Sequence, residues 1–296
     1  MERKDRIDAI GALALVGFAT VTAFNQVVIK LGNDGFQPVF MSGLRSLGAL
    51  AVLLIWMRLR GVAFDFSRDT LGPGLLLGAL FAAEFLCLFW ALDHTTVARA
   101  SILLYSMPVI LSLAAHFLLP GERLTPQRLL GLICAMAGIA LVLGQRGGGE
   151  VSLAGDLAAL AAACGWAGIA LVVRLTPIQR VMPEVQLFWQ LSVSAILLLA
   201  AAPLFGPLLR EPNAWHLAGL LYQIVAVASF GFLFWFFLMK IYPASGVASF
   251  SFLSPVLAVG LGWLLLGEEI GPSVLLALGL VTAGIVLINR RAAVPG

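Results

Sequence analysis

The sequence predicts an all-α integral membrane protein with ten transmembrane helices, arranged as two inverted five-helix repeats. Three observations predict this fold class: a very apolar composition, long apolar runs joined by short connectors, and an internal repeat. Hydrophobic residues make up 61% of the 296 residues, charged residues make up 11%, and the mean hydropathy is +1.02. Soluble domains carry about 25% charged residues, so most of this chain must be solvated by lipid.

The apolar runs have the length of membrane-spanning helices. Such a helix needs about 20 mostly apolar residues, whereas a transmembrane β-strand needs about 10 with alternating polarity. Ten runs satisfy the helical criterion: 8–29, 38–57, 71–92, 96–119, 127–145, 153–173, 183–205, 214–238, 244–266 and 272–289. Glycines expected to allow close helix approach are Gly11, Gly17, Gly131, Gly138, Gly279 and Gly284. The first run lacks a small-residue cleavage signal, so we expect no removable signal peptide.

Composition and motifs predict neither a cofactor nor a nucleic-acid partner. Cys87, Cys134 and Cys164 lie inside apolar runs, which favours small core residues over disulfides or a metal site. The net charge of +3 arises from basic residues at the ends of apolar runs, which suits membrane orientation. The glycine-rich segment 144–150 is not followed by the Gly-Lys-Ser/Thr of a phosphate loop, so it is interpreted as a hinge between halves.

The second half of the chain repeats the first. "SMPVILSLAAHFLLPGERLTP" matches "LSPVLAVGLGWLLLGEEIGP", and "AGIALVLGQR" matches "AGIVLINRR". The matched pairs are Pro108 with Pro255 (offset 147), Gly121-Glu122 with Gly267-Glu268 (146), and Gly11 with Gly155 (144). These matches predict two transmembrane domains, 1–149 and 150–296. Because each unit holds five spans, the second must enter the membrane inverted, an arrangement typical of transporters with a midplane substrate site.

The distribution of Lys and Arg predicts the orientation. Thirteen of these residues fall on the side of the N-terminus and four on the other, with Arg45 left out because it lies within a span. The connector "PGERLTPQR" keeps Arg123 and Arg128, whereas its repeat "LGEEIGPS" keeps neither. The positive-inside rule therefore predicts that both termini are cytoplasmic.

Two long segments carry a resemblance to a known family. "FWALDHTTVARASILLYSMPVILSLAAHFLLPGERLT" and "FWFFLMKIYPASGVASFSFLSPVLAVGLGWLLLGEEIG" resemble the EamA branch of the drug/metabolite transporter superfamily, in two family-type repeats. The chain is most similar to bacterial amino-acid exporters of the YddG type. The resemblance implies ten helices, cytoplasmic termini, a central cavity, a bacterial inner (plasma) membrane location and export of amino acids, particularly aromatic ones.

Two charged residues lie deep inside spans. Glu84 is the only carboxylate near the middle of a span, where a charge costs about 2.5–3.5 kcal/mol on insertion scales. Glu84 is interpreted as a contact for a substrate ammonium group or as a proton-coupling site. The alternative is a neutral side chain hydrogen-bonded to another helix. Arg45 aligns with Gln190 of the second repeat. Three roles are open for Arg45: reaching the membrane surface, pairing with a carboxylate, or binding an anionic substrate group.

The fourth span carries a polar stripe. Ser101, Tyr105, Ser112 and His116 follow spacings of four, seven and four, which predict one helical face. Pro108 frees a backbone carbonyl and predicts a kink where a cavity or neighbour can satisfy it. Tyr105 and Ser101 are predicted to contact substrate, and the alternative is hydrogen bonding between helices.

The remaining candidates lie in four other spans. Trp166 sits mid-span among small residues, which suggests an aromatic wall for a substrate ring or ammonium, and lateral packing is an equal alternative. Thr22 and Asn25 make the first span polar, and Asn25 is a candidate for orienting a carboxylate or amide. Tyr222, Ser229, Ser251 and Ser254 are weaker candidates for substrate contact, because packing explains them better.

These observations predict a secondary exporter of small amphipathic molecules, with amino acids and organic cations both fitting. A passive channel and an intramembrane enzyme are the alternatives, and the second would need clustered His, Asp or Glu at span depth. The predicted partners are a small-molecule substrate and the lipid bilayer. One chain already supplies two bundles, so a monomer is sufficient.

Overall fold

The computed structural model describes residues 7–119, 124–145, 152–242 and 250–289, with all their side chains except those of Phe236, Met239, Lys240 and Ser251. The described chain is almost entirely helical. Its α-helices are α1 (Ala9–Gly35), α2 (Pro38–Arg60), α3 (Arg68–His94), α4 (Val97–Leu104), α5 (Met107–Leu118), α6 (Pro126–Gly144), α7 (Leu153–Leu175), α8 (Pro183–Ala201), α9 (Ala214–Tyr222), α10 (Phe232–Ile241), α11 (Leu253–Leu266) and α12 (Pro272–Asn289). A π-helix, Gln223–Gly231, joins α9 to α10.

Ten spans account for these helices. In the described ranges, nine helices are long and apolar enough to cross a membrane, with α4 and α5 together forming one of them. The tenth is α11, a shorter apolar helix whose span was predicted to begin at residue 244, outside the described residues. The predicted spans are therefore confirmed, with boundaries shifted by several residues.

Local sequence sets where the helices begin and end. Side-chain oxygens of Asp8, Thr125 and Ser152 accept backbone N–H groups in the first turns of α1, α6 and α7. Gly61 and Gly267 end α2 and α11 in the left-handed region, with φ of 63° and 67°. The predicted loop at 120–126 lies outside the described residues except for Leu124, Thr125 and Pro126.

The fourth span is interrupted just before Pro108. Tyr105 and Ser106 form a turn between α4 and α5, and Pro108 occupies the first turn of α5, where its missing N–H is tolerated. The predicted kink is therefore present. The predicted single face of Ser101, Tyr105, Ser112 and His116 is divided between two helices by this turn and stays a prediction. His116 lies beyond it and accepts the backbone N–H of Leu124 at 3.3 Å.

The closest helix packing joins the two halves of the chain. A side chain added at Gly131 of α6 would lie 2.8 Å from the carbonyl oxygen of Gly284 in α12. Gly138 meets the carbonyl oxygen of Ala277 in the same way, so these glycines allow close approach as predicted. For Gly17 and Gly279 the prediction is wrong, because no described atom lies within 4 Å of the added position. Gly17 and Gly279 instead lie on exposed faces of α1 and α12.

Equivalent junctions at opposite ends of the bundle show the inverted repeat. Asp8 caps α1, and Gly11 lies against the side chain of Tyr242. Ser152 caps α7, and Gly155 lies against the backbone of His94. Because each successive span reverses direction, the first junction lies at the end where α1 begins and the second at the end where α3 finishes. We call these the Asp8 end and the Asp156 end, and they confirm two inverted repeats.

Candidate functional site

Polar and aromatic side chains from both halves meet around Tyr105. Its hydroxyl lies near the side chains of Thr22 in α1 and Ser254 in α11. The Thr22 and Ser254 hydroxyl oxygens are themselves 3.3 Å apart. The Tyr105 ring meets Trp166 of α7 edge to face, with centroids 5.8 Å apart. The fold thus brings together three predicted site residues and one serine that the sequence did not favour.

Glu84 lies beside this cluster, at the contact between α3 and α7. A side chain added at Gly165, the residue before Trp166, would lie 3.2 Å from the Glu84 Cβ atom. The two helices therefore pack closely at this point, and a larger residue at position 165 would require a small shift of α3. The Glu84 side chain is 6% exposed. The Glu84 side chain is thus held inside the bundle, where α3 packs against α7.

Two further predicted residues extend the cluster by about one helical turn. Asn25 follows Thr22 on α1, and Ser101 precedes Tyr105 on α4. Both are buried, and neither the Asn25 Oδ1 atom nor the Ser101 Oγ atom has a hydrogen-bond partner among the described residues. Buried polar groups are normally paired. These two atoms are therefore available to a polar ligand.

Of the last two predicted residues, only the side chain of Tyr222 is described, and it contacts α1 through the residue before Thr22. The Tyr222 hydroxyl donates to the carbonyl oxygen of Val21 at 2.9 Å, and its ring meets Phe24 edge to face. Tyr222 thus fastens the π-helical span to α1. The side chain of Ser251 lies outside the described residues.

A buried ionic network joins the halves at the Asp156 end. The Arg99 guanidinium, from the first turn of α4, donates to both carboxylate oxygens of Asp156 in α7 and to the carbonyl oxygens of Val142 and Gln145. The Thr95 hydroxyl donates to Asp156 at 2.8 Å. Both members of the ion pair are buried, with 5% and 1% of their side chains exposed.

A second contact at this end caps α4 from the other half of the chain. The Glu268 carboxylate accepts the backbone N–H groups of Val97 at 2.6 Å and Ala98 at 3.0 Å. The Thr96 hydroxyl accepts the N–H of Arg99 at 3.2 Å, so the first three donors of α4 are all satisfied. A carboxylate at a helix N-terminus is also favoured by the helix dipole.

Sequence reasoning missed the ionic network, although it left two signals. Asp156 is an acid in the first turn of an apolar span, and Glu268 is the matched acid of the repeated Gly-Glu pair. Neither acid can be matched to its partner from the sequence, because Arg99 lies 57 residues from Asp156 and Val97 lies 171 residues from Glu268. Only the folded repeats bring them together.

Comparison with known proteins identifies the family. The model of the EamA-like transporter family matches residues 9–144 and again residues 153–290. The chain belongs to the EamA-like transporter family. It is therefore a multi-pass membrane transporter of small molecules, and not an enzyme.

Several EamA relatives resemble the chain over most of its length. The transporter YoaV of Bacillus subtilis is 25% identical, covering 92% of this chain and 94% of the relative. A probable terminal-alkyne amino-acid exporter of Streptantibioticus cattleyicolor is 30% identical, covering 96% and 94%. The aromatic amino acid exporter YddG of Ancylobacter novellus is 28% identical, covering 72% and 73%. A crystal structure that is 26% identical matches 93% of this chain and 97% of its own, with a TM-score of 0.64.

Proposed function

We propose that this EamA-like transporter exports amino acids, chiefly aromatic and other neutral ones, together with related small metabolites. The observation that carries the proposal is the Tyr105–Trp166 pair, which joins the two halves, with the buried Glu84 packed against Gly165, the residue before Trp166. Aromatic edges and faces can hold a substrate ring, and a buried acid can hold its ammonium. The names of the exporters from Streptantibioticus and Ancylobacter support the same substrate class.

Alternating access is the mechanism that fits this arrangement. The cluster lies between two inverted halves, and the ionic network closes the Asp156 end above it. Transport then requires this end to open while the Asp8 end closes. The excess of Lys and Arg on the N-terminal side supports cytoplasmic termini in a bacterial inner membrane, with the Asp156 end facing outward.

Export of organic cations is the second candidate. The buried Glu84 favours it, because a carboxylate attracts a monovalent cation with or without an adjacent carboxyl group. A single chain contains both halves, so a monomer is sufficient for either activity.

Counterflow in proteoliposomes tests these candidates. Purified protein is reconstituted with trapped unlabelled phenylalanine, and uptake of labelled phenylalanine, leucine or a lipophilic amine is followed. Uptake of the labelled amino acids driven by the trapped pool is the expected result. Amine counterflow without amino-acid counterflow would assign the chain to cation export. Fast flux that no trapped solute stimulates would indicate a channel.

A further inference from the structure

Arg45 is a buried cation that the predicted site did not include. It lies in the first half of α2, with 1% of its side chain exposed. The Cζ atom of its guanidinium is 3.9 Å from the centroid of the Phe85 ring and 5.9 Å from that of Phe89. One face of the guanidinium is therefore covered by α3, in the turn that also carries Glu84.

Two of the three roles open to Arg45 are excluded by its surroundings. Its Nε and Nη1 atoms are buried, so the side chain does not reach the membrane surface. Neither atom has a hydrogen-bond partner among the described residues, and no described carboxylate oxygen lies within the 4.0 Å of an ion pair. Glu84 interacts with Arg45 electrostatically from farther away.

We propose that Arg45 binds the carboxylate of the transported amino acid while Glu84 binds its ammonium group. Arg45 keeps its Nε and Nη1 atoms buried and unpaired, and a hydrogen bond from either atom to a substrate carboxylate would be charge-assisted. The charges of Arg45 on α2 and Glu84 on α3 are opposite but too far apart for an ion pair, and a zwitterion between them would contact both. This inference rests on the proposed function and specifies how that site recognises its substrate.

The same arrangement disfavours organic cations. An amine without a carboxylate would leave the Arg45 guanidinium unpaired in a dry environment and add a like charge nearby, both of which are costly. In this proposal Trp166 receives the substrate side chain, because it follows Gly165, the α7 residue that contacts Glu84. Arg45 thus supplies selectivity for amino acids, and the Tyr105–Trp166 pair receives the side chain.

A competition assay on the unaltered protein tests the carboxylate requirement. Counterflow of labelled phenylalanine is measured against unlabelled phenylalanine, phenylalanine amide, phenylethylamine and phenylpropionate. Only phenylalanine should compete fully, and each analogue lacking one charged group should compete at least about tenfold less well. Equal competition by phenylalanine and its amide would overturn the role of Arg45 without any variant.

Variants separate this inference from the proposed function. Arg45→Gln should raise the KM for phenylalanine about tenfold or more and abolish discrimination against phenylalanine amide. Arg45→Lys keeps the positive charge, so it should retain part of that discrimination. Arg58→Gln removes a charge from the exposed end of the same helix and should change neither value. If phenylalanine is transported and Arg45→Gln still rejects the amide, the Arg45 inference alone is wrong. If the unaltered protein carries phenylethylamine but no amino acid, the proposed function itself is wrong.

Discussion

Arg99 and Asp156 form a buried ion pair that joins the two halves at the Asp156 end. The positions equivalent by the repeat are Gly246 and Ala12, so the sequence cannot form this pair at the Asp8 end. There, the Tyr242 hydroxyl donates to the Asp8 carboxylate at 2.7 Å. The two halves thus share a fold, but different polar contacts join the helices at the two ends.

Removing one member of this pair should destabilise the protein strongly. Arg99→Gln or Asp156→Ala leaves the other charge buried without its partner, which costs about 3–5 kcal/mol. The double variant should lose less than the sum of the single losses, because no uncompensated charge remains. Thermal unfolding of the purified variants in detergent measures this coupling. Strictly additive losses would show that the pair does not act as a unit.

Glu268 and its neighbour Glu269 should respond differently to the same substitution. Glu268→Gln replaces a carboxylate that accepts two N–H groups at the start of α4, and should cost about 1–3 kcal/mol. Glu269 is exposed one residue away, so Glu269→Gln is a matched control that should have no measurable effect. The measurement is the melting temperature of each purified variant in detergent. Equal melting temperatures would contradict the capping role.

Glu84→Gln should alter transport and its response to pH. Glutamine keeps the shape of the side chain, but it can neither exchange a proton nor balance the charge of a substrate ammonium. We expect slower counterflow of neutral amino acids and a flatter rate profile between about pH 5.5 and 8. The measurement is initial counterflow rate at each pH with and without a pH gradient. A variant that keeps the pH response of the unaltered protein would exclude Glu84 from proton coupling.

Trp166 should matter most for aromatic substrates. Trp166→Ala removes the ring that meets Tyr105, and an aromatic contact is worth about 0.5–1.5 kcal/mol beyond buried area. The KM for phenylalanine should therefore rise about tenfold, with a smaller change for alanine and partial recovery in Trp166→Phe. Trp263→Ala removes an exposed tryptophan and serves as the control. An equal change for phenylalanine and alanine would argue for a packing role.

The sequence could predict the spans, the inversion and the interruption before Pro108, because these depend on local composition and on the repeat. Thr22, Tyr105 and Trp166 could also be chosen as candidate site residues from the sequence, since each is an unusual residue inside an apolar span. The domain boundary at 149/150 stays a prediction, because residues 146–151 lie outside the described structure.

The partners of these residues could not be predicted. The contacts of Tyr105 with Ser254, and of Arg99 with Asp156, each join one half to the other, and no local pattern sets their pairing. The role of Arg45 stayed open for the same reason. Its sequence position shows that it lies inside a span, but only the fold shows that no carboxylate lies within ion-pair distance.

Accessibility of Ser101 tests the central claim, that the Asp156 end opens during transport. Ser101 is fully buried, one turn from Tyr105. In a variant with its native cysteines replaced by serine, Ser101→Cys is exposed to a membrane-impermeant thiol reagent from the Asp156 end, while counterflow is confirmed in parallel. An exposed cysteine introduced by Glu269→Cys is the control for reagent access.

The account predicts slow labelling of the Ser101→Cys variant at rest and faster labelling while amino acid is being exchanged. Weakening the closed end with Arg99→Gln should also increase the labelling rate. If the variant carries out counterflow and the control cysteine reacts, but the cysteine at position 101 is never labelled from that side, alternating access through the Asp156 end is contradicted.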